Sequence, residues 1–165
     1  MASERFVAGL TEQIAREFAA AHQYVAIGNY YSAETYPQLS AFFYSQAEEE
    51  REHAMKMVNY LIDRGDAADV RLDAAPKGGF GDHVEPIRLA LEQERQVTIK
   101  ISELFEIARE TRDYASEQFM QWFVQEQVEE EAAMGDLLAV AERTVSVPML
   151  LEEYLARDKP GARPE

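Results

Sequence analysis

The chain has 165 residues, 47% of them hydrophobic, enough for one core of ordinary size and no more than one domain. It contains no cysteine, which excludes disulfides, thiolate zinc sites and iron–sulfur clusters and leaves carboxylates, imidazoles and amides as metal ligands. Thirty-one acidic against sixteen basic residues give a net charge of −15, which repels nucleic acid and anionic lipid and draws cations, although such a surface also serves solubility alone.

A first helix is predicted over 3–33 and a second over 37–64, with Pro37 in its first turn and Gly65 just past its end. The stretch 65–82 holds Gly65, Pro76, Gly78, Gly79 and Gly81 and is too long for a hairpin turn. Extended, its roughly 18 residues reach about 60 Å, the length of a bundle, so it reads as a crossover. Asp82, Glu85 and Pro86 mark the start of a third helix over 83–112, and a fourth follows over 113–143. The short links after the first and third helices make each pair an antiparallel hairpin. A short fifth helix is expected from about Pro148 to Asp158, before a polar tail, 159–165. The fold class is therefore all-α, a four-helix bundle with one long crossover, residues 1–158 forming the domain. Apolar runs such as 137–141 fall far short of the roughly 20 residues that a membrane span needs, and the N-terminus lacks a basic-then-apolar signal pattern. A cytoplasmic protein, with no membrane and no nucleic-acid partner, is expected.

On each helix one stripe with gaps of three and four faces inward. The stripes are Leu10, Ile14, Glu17, Ala21, Tyr24, Gly28, Tyr31; Leu39, Phe43, Gln46, Glu50, His53, Met57, Tyr60; Ile87, Ala90, Glu94, Val97, Ile101, Leu104, Ala108; and Met120, Phe123, Gln127, Glu130, Met134, Leu137, Ala141. Each is apolar at its ends and carries acid or amide near its middle. Residues equidistant from a tight turn lie side by side, and the polar groups all sit about 17 residues, or roughly 26 Å, from their turns. Four carboxylates at one level of an apolar core, with no Lys or Arg in the stripes there, repel one another and cost several kcal/mol each unless protonated or neutralised. Two divalent ions balance four carboxylates, and Glu50/His53 and Gln127/Glu130, each three residues apart, put paired groups on one side of a turn. Taken singly the pieces are weak, because Glu-x-x-His is commonly a surface pair and Glu129–Glu131 a solvated face. Their coincidence at one depth is what points to a two-metal site.

With these residues in view, the chain resembles the ferritin-like di-iron proteins and, over essentially its whole length, the bacterial non-haem ferritins. The segments EFAAAHQYVAIGNYY, FYSQAEEEREHAMKMVNYL, LEQERQVTIKI and QFMQWFVQEQVEEE carry the likeness. The resemblance implies a ferroxidase that oxidises Fe(II) with O2 or peroxide at a di-iron centre and stores the product as ferric mineral in a homo-oligomeric shell of about two dozen subunits. It implies that Glu17, Glu50 and His53 hold one iron, that Glu50 bridges to a second held by Glu94 and Glu130, and that Gln127 and Tyr24 stand beside the centre. A third iron site would use Glu49, Glu126, Glu129 and Glu130, and Glu117 and Gln121 are candidates for an entry pore. Compared with bacterioferritin, Glu130 stands where a second Glu-x-x-His would end, and Arg51 replaces the haem-binding methionine, so no haem is expected. Met55 and Met57 read as core or interface residues, His22 and His83 as ordinary polar positions, and Trp122 as packing. Alternatives are a non-storage di-iron peroxidase or oxygenase of the same fold, or a helical scaffold whose acidic seam merely binds cations.

Overall fold

The structure, a computed structural model, describes residues 2–72, 74–158 and 160. Five helices follow in order: α1 Glu4–Ala33, α2 Pro37–Asp63, α3 Glu85–Glu110, α4 Tyr114–Arg143 and α5 Met149–Arg157. All five expected helices are present, with ends shifted by no more than two residues. Of the expected tail 159–165, all but Pro160 lies outside the described residues. Among the described residues no helix is long and apolar enough to cross a membrane.

The helix ends explain the tight pairing. After α1, Tyr36 N–H bonds to Tyr31 C=O and Thr35 N–H to Ser32 C=O; after α2, Asp66 N–H bonds to Leu61 C=O and Gly65 N–H to Ile62 C=O. After α3, Asp113 N–H bonds to Ala108 C=O and Arg112 N–H to Arg109 C=O, the same Schellman pattern. Each needs one residue in the left-handed region. Gly65 takes it at φ 81° without strain, whereas Thr35 at φ 65° and Arg112 at φ 54° carry a Cβ there. Tyr36 and Asp113 then open the next helices, so each turn is only as long as the cap that closes it. Near the first turn α1 and α2 run close: a Cβ on Gly28 would meet the Tyr44 ring at 3.0 Å, and Ser40 Oγ donates to Gly28 C=O at 2.9 Å.

The described residues of 65–82 run along α1, as expected of a crossover. Ala68 packs against the cluster that holds Phe6 and Leu10; the Gln23 side chain accepts from Lys77 N–H (2.7 Å) and donates to Lys77 C=O (2.9 Å); Phe80 stacks edge-on against Tyr30; and Tyr31 Oη donates to His83 C=O at 2.6 Å. The third helix starts as Asp82 Oδ1 accepts from Val84 and Glu85 N–H. At one end of the bundle Arg64 grips Asp113 with two bonds of 3.1 Å, and Asp113 also caps α4 by accepting from Ser116. At the other end α5 docks on α2: buried Glu152 accepts from Gln38 and Leu39 N–H at 2.8 and 2.9 Å, because α2 has no cap of its own.

The core is divided. One apolar cluster gathers Tyr24, Tyr31, Phe43, Ile87 and Leu137 and their neighbours; the other gathers Phe6, Leu10, Met57, Ile101 and Phe123 with theirs. Of the inward stripes only Ala21 and Tyr60 are half-buried; every other member is buried. Between the clusters lies a polar layer.

Candidate metal centre

Glu17 on α1 and Glu50 and His53 on α2 are buried and each offers a ligand atom within 4.8 Å of the others. His53 Nδ1 lies 3.6 Å from Glu50 Oε2, beyond hydrogen-bond reach, and its ring is held edge-on by Trp122 and Phe123 at centroid distances of 5.5 and 5.9 Å. On α3, Glu94 Oε1 accepts a short hydrogen bond from the Tyr24 phenol, and Oε2 accepts from Gln127 Nε2 at 3.2 Å. That same Gln127 nitrogen reaches Thr98 Oγ1 at 3.3 Å, and Thr98 in turn donates to Glu94 C=O, so the amide works as a brace for Glu94. Glu130 on α4 is buried opposite.

These carboxylates do not behave as surface acids. Burial pushes the Glu50 carboxyl well above its ordinary range, and the charges of Glu94, Glu17 and Glu130 push it further. Burial lifts Glu94 to about 7 against the opposing hydrogen bonds from Tyr24 and Gln127. Glu130 is pushed up to about 9 by burial and then by Glu94, Glu49 and Glu126. Burial also drives the Tyr24 hydroxyl far up, with Glu94 and Glu50 adding to it, so the phenol is a neutral donor. Among the described residues no lysine or arginine pairs with Glu17, Glu50, Glu94 or Glu130. Lys56 is spent on the Trp122 ring, 3.2 Å from its centroid. Glu17 Oε2 is buried without a partner. Oxygen-rich donors, one imidazole and an orphaned buried oxygen fit hard or borderline divalent ions such as Fe(II).

Glu49, Glu126, Glu129 and Glu130 line one open groove of about 760 Å³ between α2 and α4, whose far end is walled by Leu155 and Asp158. The structure thus brings together the residues expected of a third site, and it adds a grouping that spacing did not suggest: His53, Glu126 and Glu130 offer ligand atoms within 4.8 Å of one another. Glu117 is half-buried and lies 4.0 Å from Arg109, while Gln121 is exposed.

His83 is not the ordinary polar position expected. It is buried, tilted against the Tyr36 ring, and its Nε2 has no hydrogen-bond partner, because the crossover tucks it under the first turn. His22 is exposed and Met57 is core, as read, whereas Met55 lies on the surface of the chain rather than in its core. Trp122 packs on Phe123 but stays 40% exposed. Sequence reading passed over Gln13, fully buried one turn before Glu17; its spacing from Leu10 and Glu17 was the available signal. It also passed over Thr98 and Glu152, whose roles depend on partners from other helices and leave no trace in local spacing.

Comparison with known proteins agrees with this geometry. Residues 7–144 match the model of the ferritin-like domain family. Ferritin BfrB of Mycobacterium tuberculosis (strain Erdman) is 46% identical over 154 residues, covering 93% of this chain and 85% of that one; the strain H37Rv relative with the same identity carries the name bacterioferritin BfrB. A bacterial non-heme ferritin of Staphylococcus aureus (strain MRSA252) is 43% identical over 132 residues, 80% of each chain. A crystal structure described as a novel open pore ferritin from Archaeoglobus fulgidus superposes with a TM-score of 0.89 at 30% identity, covering 94% of this chain and 97% of that one.

Proposed function

The chain belongs to the ferritin family, and from that premise we propose how its own residues carry out the family's work. It is an iron-storage ferritin subunit and a ferroxidase. Fe(II) is the substrate and the cargo. Glu17, Glu50 and His53 take one ion; Glu50 spans to a second taken by Glu94 and Glu130, while Gln127 and Tyr24 hold Glu94 in place. Each Fe(II) gives up one electron, so a pair of ions reduces O2 to hydrogen peroxide, or peroxide to water. The acids that are protonated in the empty site release protons as the ions bind. Oxidised iron passes toward the groove lined by half-buried Glu49 and Glu126 and exposed Glu129, whose carboxylates favour hydrated ferric oxide.

The observation that carries this reading is that Glu17, Glu50, Glu94 and Glu130 are buried close enough to perturb one another, with His53 beside Glu17 and Glu50 and no lysine or arginine paired to them among the described residues, between two apolar clusters. Copies of the chain assemble with one another, and a shell of about two dozen subunits is part of the proposal, with α5 lining an inter-subunit contact. So are a single domain over 1–158 and a cytoplasmic location. Haem is left out because Arg51 is an exposed cation with no thioether to offer.

The test is to add excess Fe(II) in air to metal-free protein and count the iron retained per chain. Retention far above the two or three ions a bundle holds supports storage; retention of about two supports a stand-alone di-iron oxidase or peroxidase instead. In parallel, Glu50→Ala with His53→Ala slows initial oxidation by on the order of a hundredfold, and an unchanged rate removes this site from the mechanism.

A further inference from the structure

Gln13 lies four residues before Glu17 on α1, and both side chains are fully or almost fully removed from solvent. Its Nε2 donates to Glu17 Oε1 at 2.8 Å, and its Oε1 accepts from Arg16 Nη1 at 3.3 Å. Arg16 is anchored in turn on Glu12 at 3.1 Å. A guanidinium can only donate, so the Gln13 carbonyl must turn toward Arg16 and the amide toward Glu17; the chain of bonds has one sense. One Glu17 oxygen is thereby tied; the other, Oε2, is buried and unpartnered among the described residues, and Glu17 offers a ligand atom close to those of Glu50 and His53.

We infer that Gln13 is a positioning residue for the first iron site, fixing Glu17 as a ligand that presents a single oxygen. Without the amide, Glu17 loses the bond that sets its rotation, and the carboxylate either swings away or offers both oxygens. The second ion, held by Glu50, Glu94 and Glu130, does not depend on Gln13. The inference rests on the metal-site reading above.

The experiment uses assembled protein, kept free of oxygen and titrated with Co(II), whose visible absorption reports each ion bound. Gln13→Met preserves chain length and removes the donor; Gln13→Glu preserves shape and serves if the methionine variant does not assemble. Removing a residue that orients a ligand weakens metal affinity by about tenfold or more. The expected result is one Co(II) per chain bound about tenfold more weakly in the Gln13 variant, the other unchanged, and a KM for Fe(II) raised far more than kcat is lowered. Glu17→Gln is the control and loses the same ion. If Glu17→Gln loses it while Gln13→Met binds both ions as the natural chain does, the Gln13 inference fails alone. If Glu17→Gln also binds as the natural chain does, the metal-site reading fails and takes the inference with it.

Discussion

Filling the polar layer with a redox-inert ion should expel protons, and the number follows from the structure. Glu130, lifted to about 9, and Glu94, lifted to about 7, are acids whose charged forms burial disfavours. At pH 7 the first is about 99% protonated and the second about half, by the tenfold-per-unit rule. Glu50 is shifted in the same direction by burial and its acidic neighbours. Zn(II) binding at pH 7 therefore releases at least about one to two protons per chain, against almost none for ordinary surface carboxylates. Calorimetric titration in buffers of equal pH and different ionisation enthalpy gives the count as the slope of observed heat against buffer enthalpy. Glu130→Gln lowers the count by about one. The same shifts set the stability of the metal-free chain. Both folded pKa values lie above the unfolded one, so these groups contribute fully below about pH 4.5, and their contribution is lost as pH rises through about 7 for Glu94 and about 9 for Glu130. The loss is on the order of 3 kcal/mol for Glu94, and stabilisation by Zn(II) grows correspondingly from acid to alkaline pH. Binding at pH 7 with no proton released would refute the reasoning: the carboxylates would already be charged, and something other than protons would balance them.

Three further outcomes can be checked. Asp113→Ala removes the α4 cap and takes the carboxylate from the half-buried Arg64 guanidinium, which keeps its bond to Tyr60, costing about 1–2 kcal/mol in chemical denaturation; a loss below about 0.5 kcal/mol would mean the end of the bundle is held otherwise. Glu152→Ala leaves Gln38 and Leu39 N–H without acceptors, so hydrogen exchange at these two amides quickens and α5 becomes the first segment cut by protease, while the amides of α3 exchange as before. Thr35→Gly relieves a β-branched residue of its left-handed conformation and stabilises by about 0.5–1 kcal/mol, read as a raised midpoint of urea unfolding; the same change at a residue with negative φ destabilises.

Periodicity in the sequence carried the helices because each inward stripe repeats at three and four residues over some seven turns, long enough to outweigh local irregularities. The level of the polar layer was legible because tight turns make depth a matter of counting, and the turns are as tight as counting assumed: Thr35 and Arg112 each end one helix a single residue before the next is capped. Ligand identities came from resemblance; of them the structure groups Glu17, Glu50 and His53, and it sets Glu130 with His53 and Glu126. What could not be read were bonds whose second partner comes from elsewhere. Glu152 is unremarkable in a short acidic helix until α2 is seen to lack a cap. His83 looks polar by type and is buried because the crossover ends over it. The grouping of His53 with Glu126 as well as Glu130 depends on the rotation of α4 against α2, which spacing along one helix does not report.

The polar layer costs folding free energy, and the architecture shows how that cost is carried. Each buried carboxylate without a cation costs several kcal/mol if charged, so the metal-free chain holds the layer through the raised proton affinity of Glu50, Glu94 and Glu130 and by supplying hydrogen bonds to Glu17 and Glu94. Those measures would not fix four helices. The apolar clusters on either side do, and the two ends are fastened separately, by Arg64 with Asp113 at one and by Glu152 under α2 at the other. On the proposed function, the candidate ligands are thus brought together by the fold itself. Protons occupy the layer when metal does not, which makes loading an exchange of positive charge in a site whose geometry stays in place. Glu130 groups with buried His53 and also lines the open groove with Glu49, Glu126 and Glu129, so on the proposed function it stands on the path an ion takes outward.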